Sequence, residues 1–409
     1  MSQTVHEEQP ADHRRTSRST RLVSLDAFRG FIMLTLAAKG FGFARTAGNL
    51  GHWPEPAAQG IAAKIWYALA FHTTHPPWNS QFHLIGCSYW DLVQPAFMFM
   101  VGVAMPYSYA GRHARGDSPL KITLHAAWRS IVLVLLGVFL QTRNGDGRNR
   151  LLTNVLSQIG LAYFPVFLLL GCSFHIQFIA AVVVLVGYWT LMVCWPVPTS
   201  LSQAAIQSLH DVSLAAGGLA PHFAKHANVA AAFDFWLLGE RNPGGYATLN
   251  FIPSAVTILL GMMAGRLLRE PKTDGEKLRH LLSGAVICMT LAVAASFTVC
   301  PVIKRIWTPA FTLYSGAWVL AMLALFYWLV DVRGSKWWTF PLIVLGTNPL
   351  AIYLMSMLLS HWIAQQLTVY LGDQWFTGPY GPTVEALAVL TVLWLAGWYM
   401  YRHRIFIRV

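Results

Sequence analysis

Charge is what this sequence of 409 residues has least of. Asp, Glu, Lys and Arg make up 11% of it, against about 25% in an ordinary soluble domain. So few charges cannot clothe a globular surface in water, which excludes a soluble fold. Cysteine is scarce as well: Cys87, Cys172, Cys194, Cys288 and Cys300 are scattered, without a zinc-type spacing or a disulfide framework. The chain also lacks a P-loop, a dinucleotide-binding glycine motif, a Gly-x-Ser-x-Gly elbow and a zincin motif. With no repeat, low-complexity tract or linker either, it reads as one domain.

What is present is apolar. Hydrophobic residues reach 55%, and the 17 tryptophans suit belts at the headgroup level of a bilayer. The formal net charge is +12. Its basic residues lie between apolar runs rather than on one amphipathic face, so they orient a membrane protein, and a nucleic-acid partner is excluded. A spanning helix needs about 20 apolar residues. Ten runs qualify, near 24–44, 91–110, 124–141, 154–172, 175–195, 248–267, 281–300, 308–331, 340–361 and 383–401. The expected fold is an all-α polytopic membrane helix bundle of about ten transmembrane helices. Asp26, Arg29 and Lys39 interrupt the first run, which also reads as an interfacial helix.

Residues 1–21 carry Arg14, Arg15, Arg18 and Arg21 with no signal-peptide core, and read as a disordered basic cytoplasmic tail. Residues 22–409 form the single transmembrane domain. With the N-terminus inside, Lys and Arg concentrate in the inside segments, which predicts both termini in the cytoplasm and a multi-pass protein of the cell (inner) membrane. Two outside groups break the bias, Arg143/Arg148/Arg150 and Lys304/Arg305. Either a span is miscounted there, or those cations have work such as holding an anionic ligand. Long outside loops, near 45–90 and 196–247, are rich in Trp, His, Pro and Gly, as expected of ordered packing over a membrane-face cavity.

The first loop holds His72, His75 and His83 ahead of Asp91, an acidic residue at the mouth of the run Trp90–Gly102. A charge there is costly unless it faces an interface or a wet cavity. Histidine exchanges protons near neutral pH, and a carboxylate can fix its tautomer. These histidines read either as interfacial loop residues or as part of a site, and no metal spacing accompanies them. Asp26 and Arg29, at i and i+3, can pair structurally, or Arg29 can reach a phosphate or carboxylate inside the bundle. Asn348, beside Pro349, is a packing hydrogen bond or a cavity ligand, and Thr248, Asn250, Gln158 and Tyr163 invite the same two readings. Gly261 and Gly265 form a small-x-x-x-small packing pattern.

Several of these segments together resemble the heparan-alpha-glucosaminide N-acetyltransferase family. They are Ser24-Leu25-Asp26-Ala27-Phe28-Arg29-Gly30, Trp90-Asp91-Leu92-Val93-Gln94-Pro95, Asn154–Tyr163, Thr248-Leu249-Asn250, Trp307–Phe311 and Gly346-Thr347-Asn348. The resemblance covers roughly residues 20–400. It implies a transmembrane acyltransferase that takes an acetyl group from cytosolic acetyl-CoA, needs no metal, and delivers it to an extracytoplasmic sugar or envelope glycan, on nitrogen or oxygen. The family's catalytic histidine lies three residues before a tryptophan, a spacing matched by His75-Pro76-Pro77-Trp78. Residues 79–85 are inserted before Gly86 where the family has a glycine almost at once, and His83 falls inside that insertion. Gly40 stands where the family has an asparagine near the catalytic centre.

On this resemblance the catalytic set is His75 or His83 as general base or acetyl carrier, Asp91 to orient it, and Asn348 for the oxyanion. Arg29, with Arg112 and Arg266 behind it, would serve the CoA phosphates, and Asp26, able to pair with Arg29, completes the cofactor-binding set. Expected partners are acetyl-CoA, the glycan acceptor and membrane lipid, with a homodimer left open. The rival reading is a transporter or permease for a small polar or glycan-derived solute, without chemistry.

Overall fold

The computed structural model describes residues 22–55, 60–75, 78, 87–143, 152–210 and 217–407. His83, Arg148, Arg150 and the N-terminal tail lie outside the described residues. Among the described residues the regular structure is helical, without a strand. In chain order the helices are α1 (Val23–Ala37), α2 (Phe43–Asn49), α3 (Ile61–His72), α4 (Tyr89–Ala114), α5 (Pro119–Thr142), α6 (Val155–Leu168), α7 (Phe174–Cys194) and α8 (Gln203–His210). They continue as α9 (Val229–Leu238), α10 (Phe251–Arg269), α11 (Asp274–Thr298), α12 (Pro309–Phe326), α13 (Phe340–Gly346), α14 (Pro349–Leu371) and α15 (Gly381–Arg402).

The starts of these helices follow from local chemistry. Ser88, Ser118, Asn154, Ser173, Asn228, Thr273 and Thr308 each turn a side-chain oxygen onto a free amide of the following first turn. Among the described residues six helices are long and apolar enough to cross a membrane, or up to eight if each of two bent pairs counts as one span. Helix α7, mean hydropathy 2.2, exposes Phe178, Val183 and Val186, a surface that suits lipid. Helices α10 and α12, whose apolar windows are 61% and 56% buried, form the centre with α4, while the windows of α5, α7 and α15 are 22% buried and lie outside.

Backbone contacts fix which helix ends lie together. At one end Asp331 caps α1 through the amides of Val23 and Ser24, and the Asn348 amide holds the chain after α15. We call this the terminal face. The described residues of the segments 39–78 and 195–250 and the loop 299–308 gather at the opposite end, the loop face. Helices α4 and α10 run parallel, Gly261 and Gly265 lying against the backbone of Phe99 and Val103. Helices α1 and α13 run antiparallel in the same close way: a Cβ on Gly30 would enter the Leu342 carbonyl, and one on Gly346 the Asp26 carbonyl.

Two expected spans are reshaped. The run 24–44 ends its helix at Ala37 and bends by 41° into the segment Lys39–Asn49. Lys39, Gly40, Phe41 and Gly42 there all have positive φ, between 46° and 68°. The run 340–361 is broken at Thr347-Asn348, where α13 and α14 meet at 82°, and α14 continues to Leu371. Pro349 accounts for the break, because it cannot donate an amide to a continuing helix and disfavours helical backbone at Asn348. The long loops contain α2, α3, α8 and α9, so they are folded rather than structureless.

Candidate active site

The site begins with a helix cap. Ser88 accepts from the Asp91 amide, and Asp91 Oδ2 accepts from the Ser88 amide at 3.2 Å, a reciprocal pair that fixes the first turn of α4. Ser88 Oγ also donates to the Thr74 carbonyl at 2.6 Å, tying the end of the α3 loop to the start of α4. His75 therefore arrives beside the helix mouth. Its Nδ1 lies 2.6 Å from Asp91 Oδ1, and the Asp91 side chain is 3% exposed against 34% for His75. A carboxylate in the first turn is also favoured by the helix dipole.

Lys304 joins this pair from a part of the chain far away in sequence. The residue is 7% exposed, and its Nζ lies 3.7 Å from Asp91 Oδ1 and 3.4 and 3.5 Å from the two ring nitrogens of His75. Near-equal distances put the ammonium beside the ring rather than along one nitrogen's lone pair. With Nδ1–H given to Asp91, Nε2 is left to take a proton from a substrate. The Tyr246 ring stands edge-on to His75 at 6.3 Å and lies 5.2 Å from Lys304 Nζ. Burial pulls the His75 pKa below the usual imidazole value, and Lys304 pulls it further down, while the bond and charge of Asp91 oppose both.

Some of the motifs singled out in the sequence build the walls. Trp78, three residues after His75, is buried and donates its indole N–H to the Phe223 carbonyl at 3.2 Å, while Gly245 packs against its ring. Thr308 receives the Ile303 amide at 3.1 Å and donates to the Pro301 carbonyl at 2.6 Å, and Asn250 donates to the Arg305 carbonyl at 2.9 Å. These bonds hold the loop that presents Lys304. Gln158 donates to the Thr248 carbonyl at 3.0 Å, whereas Tyr163 lies toward the terminal face, its hydroxyl paired with that of Tyr109 at 2.9 Å and its ring under Arg129. Among the described residues no cluster of His, Cys, Asp and Glu could hold a metal.

The remaining sequence candidates lie elsewhere. Asn348 is at the terminal face, not beside His75: it donates to the Ile405 carbonyl at 2.8 Å and accepts from the Ile407 amide at 3.1 Å. Its amide is thus spent on the C-terminal segment, because the proline-broken helix pair brings it there. Asp26 and Arg29, 3.5 Å apart, line a cavity of about 410 Å³ on that side with Arg129, Ser108 and Thr347, beneath apolar walls that include Phe97 and Leu133. Arg112 and Arg266 are not part of that lining. Arg112 pairs with Asp117 at 3.4 Å, and Arg266 donates to the Cys172 carbonyl at 2.5 Å.

Two residues were missing from the sequence candidates. Lys304 carried a signal, since it was one of the outside cations that broke the charge bias. Arg129 carried none, being one arginine within an apolar run. It stacks over the Tyr163 ring at 4.9 Å, and its Nε is buried without a hydrogen-bond partner among the described residues.

No family model matches the sequence. Over 98% of its length the chain is 24% identical to the heparan-alpha-glucosaminide N-acetyltransferase of Homo sapiens, and over 97% it is 23% identical to that of Mus musculus. It spans 62% and 61%, respectively, of the length of these curated relatives. Likeness through nearly the whole chain, together with a bundle of long apolar helices, makes this a multi-pass membrane protein distantly related to the heparan-alpha-glucosaminide N-acetyltransferases.

Proposed function

We propose that the protein is an integral-membrane acetyltransferase that moves an acetyl group from acetyl-CoA to a sugar or envelope glycan at the loop face. The observation that carries this reading is the 2.6 Å pair of His75 with buried Asp91, beside the buried ammonium of Lys304. In this reading ten helices cross the inner membrane in alternating directions, α1, α4, α5, α6, α7, α10, α11, α12, α14 and α15. The terminal face is then cytoplasmic and the loop face extracytoplasmic, which agrees with the charge bias.

The chemistry follows from the proton inventory. Asp91 holds the Nδ1–H tautomer of His75, and Nε2 takes the proton from the acceptor amine or hydroxyl as its nitrogen or oxygen bonds to the acetyl carbon. Lys304 faces the carbonyl oxygen as it gains negative charge. When the carbon–sulfur bond breaks, Nε2 returns the proton to the departing thiolate. A lowered pKa keeps His75 neutral near physiological pH, the state a base requires. At the terminal face, Arg29 and Arg129 supply cations for phosphates, and the apolar walls of their cavity suit a flexible pantetheine arm.

The test uses purified protein with acetyl-CoA and an amino-sugar acceptor, following CoA release. His75→Ala should lower turnover by between about 10²- and 10⁴-fold while acetyl-CoA binding is kept. Equal turnover in wild type and His75→Ala would sink the reading, and His83→Ala in parallel separates the two histidines. The broken α13–α14 pair favours the transporter alternative, which predicts solute flux in proteoliposomes with no acyl donor.

A further inference from the structure

A second polar cavity, about 450 Å³, lies at the loop face where the turn after α1 meets α14 and α15. Its lining has no counterpart in the acetyl-transfer reading. Ser360, His361, Gln365 and Thr368 turn hydrogen-bonding side chains into it from one side of α14, and Lys39, Arg45 and Glu385 complete it. Within α14 the Ser360 and Thr368 hydroxyls donate to the Ser356 and Ala364 carbonyls, and Gln365 and His361 bond each other at 3.1 Å, so the helix presents hydroxyl and amide oxygens as remaining acceptors.

The charges around this cavity do not balance. Arg45 is paired with Glu385 at 3.0 Å. Lys39 is repelled by Arg45 and Arg143 and attracted by Glu385, and Arg143 is held over α14 by the Met357 carbonyl. Among the described residues three cations therefore surround one carboxylate already in use. The same groups lie on the face where Lys and Arg are otherwise depleted.

Lys39 is placed there at a conformational cost. Its φ is 46°, in the left-handed region that side chains other than glycine rarely adopt, and Phe41 shares the strain at 57°. Gly40, between them, packs against Thr73, which leaves no room for a Cβ. Exposed aromatic rings lie at the end of α14 and in the stretch after it, namely Tyr370, Trp375 and Tyr380. Such rings settle at the headgroup level of a bilayer.

From the cavity, the excess positive charge around it and its place at the loop end of the bundle, we infer that this is a binding site for the phosphate of an anionic lipid headgroup. Lys39 and Arg45 meet the phosphate oxygens, and the α14 hydroxyl and amide oxygens accept from the hydroxyl groups of the headgroup. The inference stands apart from the acetyl-transfer reading and survives its failure.

The test is native mass spectrometry of the purified protein after exchange into vesicles of phosphatidylglycerol or phosphatidylcholine. Wild type should retain phosphatidylglycerol preferentially. Lys39→Asn should lower that retention about 5-fold, the weight of one cation near an anionic headgroup. Asparagine tolerates left-handed backbone, so the variant should melt in detergent at or above the wild-type temperature, which separates lost binding from lost folding. Lys64→Gln, an exposed loop-face lysine outside the cavity, should behave as wild type. Equal retention by wild type and Lys39→Asn, or no preference between the two lipids, overturns the inference. Stabilisation by inorganic phosphate with no lipid retained would overturn the lipid as its source.

Discussion

At the scale of residues, the two neighbours of His75 act on it in opposite directions, and this can be measured. Lys304 depresses the imidazole pKa and Asp91 raises it. A base works when neutral, so activity is present above the His75 pKa and lost as pH falls through it. Removing the cation in Lys304→Met lets that pKa rise, and the acidic limb of the kcat/KM profile should move to higher pH. Asp91→Asn removes the opposing influence and should move the limb to lower pH, with turnover reduced because the ring loses the partner that fixes its tautomer. A common direction for both variants would rule out His75 as the titrating base. His75 and Asp91 were legible in the sequence because they lie in one loop and the helix it enters. Lys304 was not paired with them, because its contact with His75 spans 229 residues and exists only once three loops converge.

At the scale of elements, the break at Thr347-Asn348 decides what Asn348 does. Hydropathy runs through this stretch without interruption, so the sequence reads as one span, and a polar residue within it reads as facing a cavity. Proline chemistry turns the helix there instead and delivers the amide to the C-terminal segment. Asn348→Ala should therefore cost about 1–3 kcal/mol through two lost hydrogen bonds, seen as a lower melting temperature with turnover per folded molecule unchanged. A fall in kcat without a change in melting would return Asn348 to the chemistry. Gly346→Ala tests the neighbouring contact: its methyl group must displace the Asp26 carbonyl, which should cost about 1–3 kcal/mol of stability. The signals read well from sequence were local, such as the apolar runs and the nearness of His75 to Asp91. The folded loop helices α2, α3, α8 and α9 were not, since each is short and is held by packing rather than by a strong pattern of its own.

At the scale of the whole molecule, the two faces have different chemistry, and the proposed function needs them on opposite sides of a membrane. The terminal face carries the Arg29–Arg129 cavity, and the loop face carries His75, Asp91 and Lys304. Acetyl-CoA is a cytosolic metabolite in the proposed reaction, so the terminal face must be cytoplasmic. Single cysteines at exposed positions test this directly in intact cells, read against the wild-type background of five native cysteines. A membrane-impermeant maleimide should label Glu55→Cys on the loop face from outside. Arg115→Cys, between α4 and α5, and Lys336→Cys, between α12 and α13, should be labelled only after permeabilisation. Outside labelling at Arg115 or Lys336 would reverse the orientation and separate the donor cavity from its cytosolic supply. It would also leave the loop-face cations following the ordinary charge bias, so that Lys304 would lose the anomaly that first set it apart.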